Sequence, residues 1–145
     1  MINSNLKLVR KGVDTFTANL DNSARAARDE MMAALIQLSK EQIAGARPYT
    51  IGPRGGRVYE KAAPNKPPMN RTGNLRRSIR GEKARMGFGN YSAIVGPTIQ
   101  YGRRVELGGG NWPSGVRFPY MEPAYAQFRS VVYPQIMARY FRRFR

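Results

Sequence analysis

The 145-residue chain carries 25 lysines and arginines against 9 aspartates and glutamates, a formal net charge of +16, and contains neither cysteine nor histidine. Disulfides, thiolate metal sites, imidazole ligands and imidazole bases are therefore excluded, and the length is that of one domain, enough to bury roughly 70% of the surface its unfolded form exposes. The carboxylates (Asp14, Asp21, Asp29, Glu30, Glu41, Glu60, Glu82, Glu106 and Glu122) form no evident acid/base pair, which points to a binding or structural protein and away from an enzyme.

The charge is unevenly placed. Residues 1–45 carry six basic and five acidic side chains, residues 46–85 eleven and two, and residues 86–145 eight and two. Positive charge in the middle and at the far end implies a partner of negative surface, nucleic acid or acidic protein. The N-terminus lacks the basic-then-apolar layout of a secretory signal, and no apolar run approaches the ~20 residues that span a bilayer. Synthesis in a cytoplasm, with no membrane partner, is the expectation.

In chain order, Leu6 and Leu8 alternate around Lys7 in NLKLVR, a short strand pattern ending at Gly12. Asp14 is placed to cap a helix through its carboxylate. Phe16, Leu20, Ala24, Ala27, Met31, Ala34 and Leu38 then recur at helical spacing, the stripe of a long amphipathic helix closing near Gly45. Met32, Leu35, Ile36 and Ile43 widen that stripe, so the helix is expected to pack along a sheet and keep a spare apolar flank for a neighbouring subunit.

Residues 46–70 hold five of the ten prolines and only a brief strand-like RVYE. They read as a protruding basic loop or hairpin with a functional role. Thr72 is expected to cap a short helix over about 73–79, with Leu75 and Ile79 facing inward one turn apart. KARMGFGNYSAIVGP reads as two strands joined at Gly89-Asn90, and TIQYGRRVELGGG as a short helix terminated by Gly108 to Gly110. Val116 to Phe118 follow as an extended piece. A C-terminal helix begins near Pro123, and Pro134 must kink or divide it. This order predicts a single α+β domain over residues 1–145: a small, mostly antiparallel sheet packed by the long N-terminal helix and a C-terminal helix on one face.

Three readings stay open for the segment RTGNLRRSIRGEKAR. Its arginines could neutralise phosphates with salt-sensitive affinity, form a solvated basic face, or pair with carboxylates of the next copy. No helix-turn-helix, zinc finger, GXXG loop or RNP pattern accompanies them. GPRGGR lacks the Gly-Lys-Ser/Thr ending and following helix of a phosphate loop. Trp112, the only tryptophan, is a core plug or an interface anchor. In ARYFRRFR, Tyr140, Phe141 and Phe144 could stack on bases while Arg139, Arg142, Arg143 and Arg145 hold phosphates. Docking on an acidic protein suits the pattern better, because a terminal tail gains order most readily from a neighbour.

RTGNLRRSI, YSAIVGPTIQYGRRVELGG and RFPYMEPAYAQ, in that order, resemble the tail-completion or neck proteins of tailed bacteriophages, the group that includes the lambda Z-type minor tail components. The family pattern falls on Thr72, Gly73, Leu75, Ser78 and Ile79, then on Tyr101, Val105, Glu106 and Gly108, then on Arg117, Pro119, Tyr120, Pro123 and Ala124. Arg71 stands where the family carries aspartate, and Phe118-Pro119-Tyr120 replaces the commoner Arg-Pro-Phe order. The resemblance covers most of the chain.

It implies a non-enzymatic, cofactor-free and metal-free ring, a hexamer, in the virion neck. Such a ring joins the tail to the head connector or stopper around the DNA channel, or acts as a tail terminator capping the tail tube. On that reading the loop 46–70 and the basic tail 139–145 are arms. Arg54, Arg57, Lys61, Arg76, Arg77, Arg80, Arg139, Arg142, Arg143 and Arg145 would contact neighbouring virion proteins or the genomic DNA, and Trp112 would anchor an interface. A free, non-specific nucleic-acid-binding protein is the alternative that charge alone supports.

Overall fold

A computed structural model describes residues 2–43, 50–51, 55, 57–58, 64–68, 72–84, 91–109, 113 and 115–144, with the backbone alone for 2–6, 50–51 and 57–58. The first element, α1 (Ile2–Gln42), is 41 residues long, about 60 Å at 1.5 Å per residue. It begins at Ile2, so NLKLVR is helix and not strand, and Asp14 is an interior residue and not a cap. The alternation of Leu6 and Leu8 lasts less than one helical turn. Val9 and Val13 extend the Phe16–Leu38 stripe backwards at the same spacing, and Leu, Lys and Arg are good helix formers. The longer periodicity prevails. Thr15 and Thr17 turn their hydroxyls onto the helix itself, donating to the carbonyls of Lys11 (2.8 Å) and Val13 (2.9 Å).

Two short strands, β1 (Thr50–Ile51) and β2 (Arg57–Val58), pair antiparallel within the basic segment. The rest of the 46–70 arm lies largely outside the described residues. After the left-handed Gly73 (φ 76°) comes α2 (Asn74–Ser78), with Leu75 and Ser78 buried. Thr72 gives no regular side-chain cap; its Oγ1 receives only a long bond from the Asn74 N–H (3.4 Å).

The chain then enters β3 (Ile79–Lys83), paired antiparallel with β4 (Ala93–Pro97) in a register running from Ile79 opposite Pro97 to Lys83 opposite Ala93. This first strand starts at Ile79, four residues earlier than the sequence pattern suggested, and the expected turn at 89–90 lies outside the described residues. The reason is tertiary. Ile79 is buried in the core, and a Cβ on Gly81 would sit 2.5 Å from Met32 Cγ, so the strand can lie on α1 only because residue 81 has no side chain.

A helix α3 (Gln100–Leu107) follows and ends at Gly108, whose φ of 77° and ψ of −173° suit glycine alone. A Cβ there would also meet the Val116 carbonyl oxygen at 2.6 Å. Extended residues 116–119 return along α3, with the Phe118 N–H donating to Val105 O (2.8 Å). The C-terminal arm comprises α4 (Met121–Gln127), a π-helical turn (Phe128–Val132), α5 (Tyr133–Phe141) and a closing 3-10 turn (Arg142–Phe144). The expected break at Pro134 takes a definite form. The Tyr133 N–H reaches back five residues to Phe128 O, and this wide turn accommodates a proline that has no N–H and would clash in a regular α-helix.

The architecture is α+β, with small antiparallel strand pairs, α1 on one face of β3–β4 and the C-terminal arm packed along α1. Its core has two parts. Ile43, Leu75, Ile79, Val105 and Tyr120 form one, and Leu38, Ala124 and Phe128 the other, with α1 as the spine common to both. No helix among the described residues is long and apolar enough to cross a membrane.

Candidate docking surfaces

The three sequence segments that carry the phage resemblance meet in one core. Leu75 and Ile79 come from the first, Val105 from the second and Tyr120 from the third. Ser78 Oγ donates to Leu75 O (2.7 Å), while Ser78 O accepts from both the N–H and the hydroxyl of Thr98 (3.0 and 3.2 Å). Glu106 ties the second segment to the third. Its carboxylate accepts the backbone N–H groups of Tyr120 (2.7 Å), Met121 (2.9 Å) and Glu122 (2.9 Å). A carboxylate there satisfies the orphan donors at the start of α4 and lies at the positive end of its dipole. Gly102 lies under Pro97, where a Cβ would come within 2.6 Å, and its carbonyl accepts from the Tyr120 hydroxyl (3.3 Å). Most of these motif residues point inward and build the fold, while Thr72, Tyr101 and Arg117 keep exposed side chains.

The arginines divide by what holds them. Arg77 is committed locally, its Nη2 donating to Thr72 O (3.1 Å) and Asn74 Oδ1 (2.6 Å). Arg76 and Arg80 are exposed and have no hydrogen-bond or ion-pair partner among the described residues. Arg80 shares the outer face of β3–β4 with Glu82 and the exposed Ile94. The basic tail turns back along α1. Arg139 pairs with Glu30, Arg143 Nη2 donates to Ser23 Oγ (2.8 Å), and the Phe144 ring meets Phe16 edge-on at 5.6 Å. Glu30 also engages Tyr140, and that hydrogen bond pushes the phenol above its ordinary pKa. Arg142 is exposed and has no partner among the described residues. Arg54, Lys61, Trp112 and Arg145 lie outside the described residues, and Arg57 is seen only as backbone in β2.

On the other side of α1, Asp29 binds Lys83 of β3 (2.7 Å) and Arg28 (2.8 Å). The Lys83 hydrogen bond, opposed by partial burial and reinforced by Arg28, holds the Asp29 carboxyl below the usual carboxylate range. A lowered folded-state pKa contributes stability above the unfolded value that is lost as pH falls through the folded one. An Asp29→Asn variant is expected to be less stable near neutrality by under ~1 kcal/mol, since the pair is solvated. Urea unfolding at stepped pH should show that gap closing as the wild-type carboxylate protonates.

Two apolar surfaces complete the inventory. On the first half of α1, Leu8, Val9, Val13 and Phe16 are each more than half exposed. Between the second half of α1, β4 and the C-terminal arm runs a largely apolar groove of about 1010 Å³, floored by Met31, Met32 and Leu35 and walled by Val95, Tyr125 and Tyr133, with Arg28 and Arg129 also in its lining. The broad stripe of α1 signalled a spare flank, but the groove is made by distant segments and had no local signal. No family model matches the chain, and comparisons with curated proteins and with solved structures yield no match either.

Proposed function

We propose that this chain is a non-enzymatic virion protein of the head–tail junction of a tailed bacteriophage, a tail-completion or neck subunit that joins the tail to the head connector around the DNA channel. The observation that carries the reading is the interlocking of its three resemblance segments. Thr72–Ile79, Tyr101–Gly108 and Arg117–Ala124 share one core, and a carboxylate latch joins the last two, as a fold signature should. Uncommitted arginines on the outside, Arg76 and Arg80 above all, supply the charge for acidic surfaces of neighbouring rings. The net charge of +16 favours the second reading, non-specific nucleic-acid binding.

A double variant, Arg76→Glu with Arg80→Glu, separates the two. Exposed substitutions of this kind change stability by about 0.5 kcal/mol or less each, so the melting curve should stay close to wild type. Supplied in trans to a phage lacking the gene, the variant is expected to lower infectious titre by at least ~100-fold, the equivalent of about 2.7 kcal/mol of docking free energy, with filled heads and free tails accumulating. Normal titre would sink the docking role of these residues. If the two arginines instead hold phosphates, the dependence of log K on log salt for duplex DNA should flatten by about 1.8. Near-atomic imaging of the neck with no density for this chain would remove the head–tail reading altogether.

A further inference from the structure

We propose that copies of this chain assemble head to tail, the first half of α1 of one copy lying in the α1–β4–C-terminal-arm groove of the next. The exposed strip is apolar, the groove largely so, and neither is filled by the described residues of the chain. Val9, Val13, Phe16 and Leu20 follow one another at helical spacing on the stripe whose continuation, Ala27 and Leu38, is buried. The cover for that continuation is the C-terminal arm, and it runs out at Phe144 against Phe16. Beyond that point no described segment of the chain covers the stripe, and a second copy would.

The groove cannot take the strip of its own molecule. Both belong to α1, an unbroken helix without proline, and Val13 and Met31 lie about 27 Å apart along it at 1.5 Å per residue. A rigid rod cannot fold back onto its own flank, so the two surfaces meet only between copies. The exposed side chains leave on the order of 400–500 Å² of apolar strip, toward the upper end of what a monomer's largest patch shows. With flanking residues, this approaches the roughly 800 Å² per partner of a standard interface. Pairing two strips about a two-fold axis would leave both grooves empty. Strip-in-groove docking covers both surfaces of every interior copy and is heterologous, the contact type that closes into rings.

The contact rests on α1 and the groove, and takes from the neck reading only the closure of the ring. The cysteine-free sequence permits a clean disulfide test with Val13→Cys and Tyr133→Cys, both at exposed positions. Mild oxidation of the two variants mixed should give a cross-linked heterodimer in clear excess over either homodimer, and the double variant a ladder. Predominant Val13→Cys homodimers would overturn the proposal, as would the absence of any cross-link where light scattering reports oligomers, or a chain that stays monomeric. A Val9→Lys, Val13→Lys variant, altered only on exposed helix surface, should keep its helical signal, and its melting temperature should match wild type at dilutions where both are monomeric. It should weaken self-association about 100-fold or more, because two ammonium groups would enter a largely apolar groove that already holds Arg28 and Arg129; unchanged association would overturn the contact. A virion ring without the cross-link would sink the contact and spare the neck reading, whereas a cross-link in a protein missing from virions would do the reverse.

Discussion

Replacing Tyr120 by alanine is expected to cost about 3–5 kcal/mol, the range for emptying a fully buried aromatic site, and to lower the melting temperature by about 10 °C for a chain of this size. Tyr120 has no exposed surface and is the one member of its core cluster contributed by the C-terminal segment, packing with Ile43, Leu75, Ile79 and Val105. Its removal leaves the C-terminal segment held to that core only by the partly buried Phe118 and Met121. Tyr120→Phe should lose no more than about 1 kcal/mol, because the ring stays and only a long hydrogen bond to Gly102 O (3.3 Å) goes. Wild type and Tyr120→Phe also differ from each other in alkali. Burial, helped by the nearby Glu106 and Tyr101, pushes the Tyr120 phenol well above its ordinary pKa. A raised folded-state pKa gives stability that is intact below the unfolded value, about 10, and is lost as pH rises past it. Wild type should therefore weaken above that pH by an increment that Tyr120→Phe lacks. Urea unfolding of both variants checks all three expectations, and a Tyr120→Ala loss under about 1 kcal/mol would refute the packing argument.

What the sequence made legible was local, and what it concealed was made by distant contacts. The stripe from Phe16 to Leu38 announces a helix because seven apolar residues keep one period, whereas Leu6 and Leu8 mislead because three residues cannot separate a period of two from one of 3.6. Gly81 sits between the expected helix over about 73–79 and the strand expected from Lys83, with no signal of its own. Its purpose, contact with Met32, appears only once α1 lies beneath β3. Pro134 correctly forecasts a break, but the relief is placed upstream in the turn at Phe128–Val132.

The C-terminal arginines illustrate the same limit. Arg139 and Arg143 find their partners 109 and 120 residues away, so nothing in ARYFRRFR distinguishes an arm held against its own helix from one reaching outward. Arg76 and Arg80 were legible as exposed charge because they flank Leu75 and Ile79, whose spacing dictates an inward face.

Replacing Glu106 by alanine should produce the second large effect, about 3–5 kcal/mol, by leaving three backbone N–H groups at the start of α4 without their acceptor. Hydrogen bonds to a charged group contribute about 1.5–3 kcal/mol each, and water recovers part of the loss at a helix end. Tyr120 N–H has the least access to water, because its residue is fully buried. Glu106→Gln keeps one oxygen but turns an amide nitrogen toward donors, so about 1–2 kcal/mol is expected. The loss should be local before it is global: hydrogen exchange at residues 120–124 should accelerate at denaturant concentrations where α1 remains protected. Uniform acceleration throughout the chain, or a Glu106→Gln variant within about 0.5 kcal/mol of wild type, would contradict the latch. Tyr125, on the same helix, is one wall of the apolar groove. A loosened α4 should therefore also reduce the Val13→Cys with Tyr133→Cys cross-link, linking the carboxylate that closes the fold to the surface on which the next copy would dock.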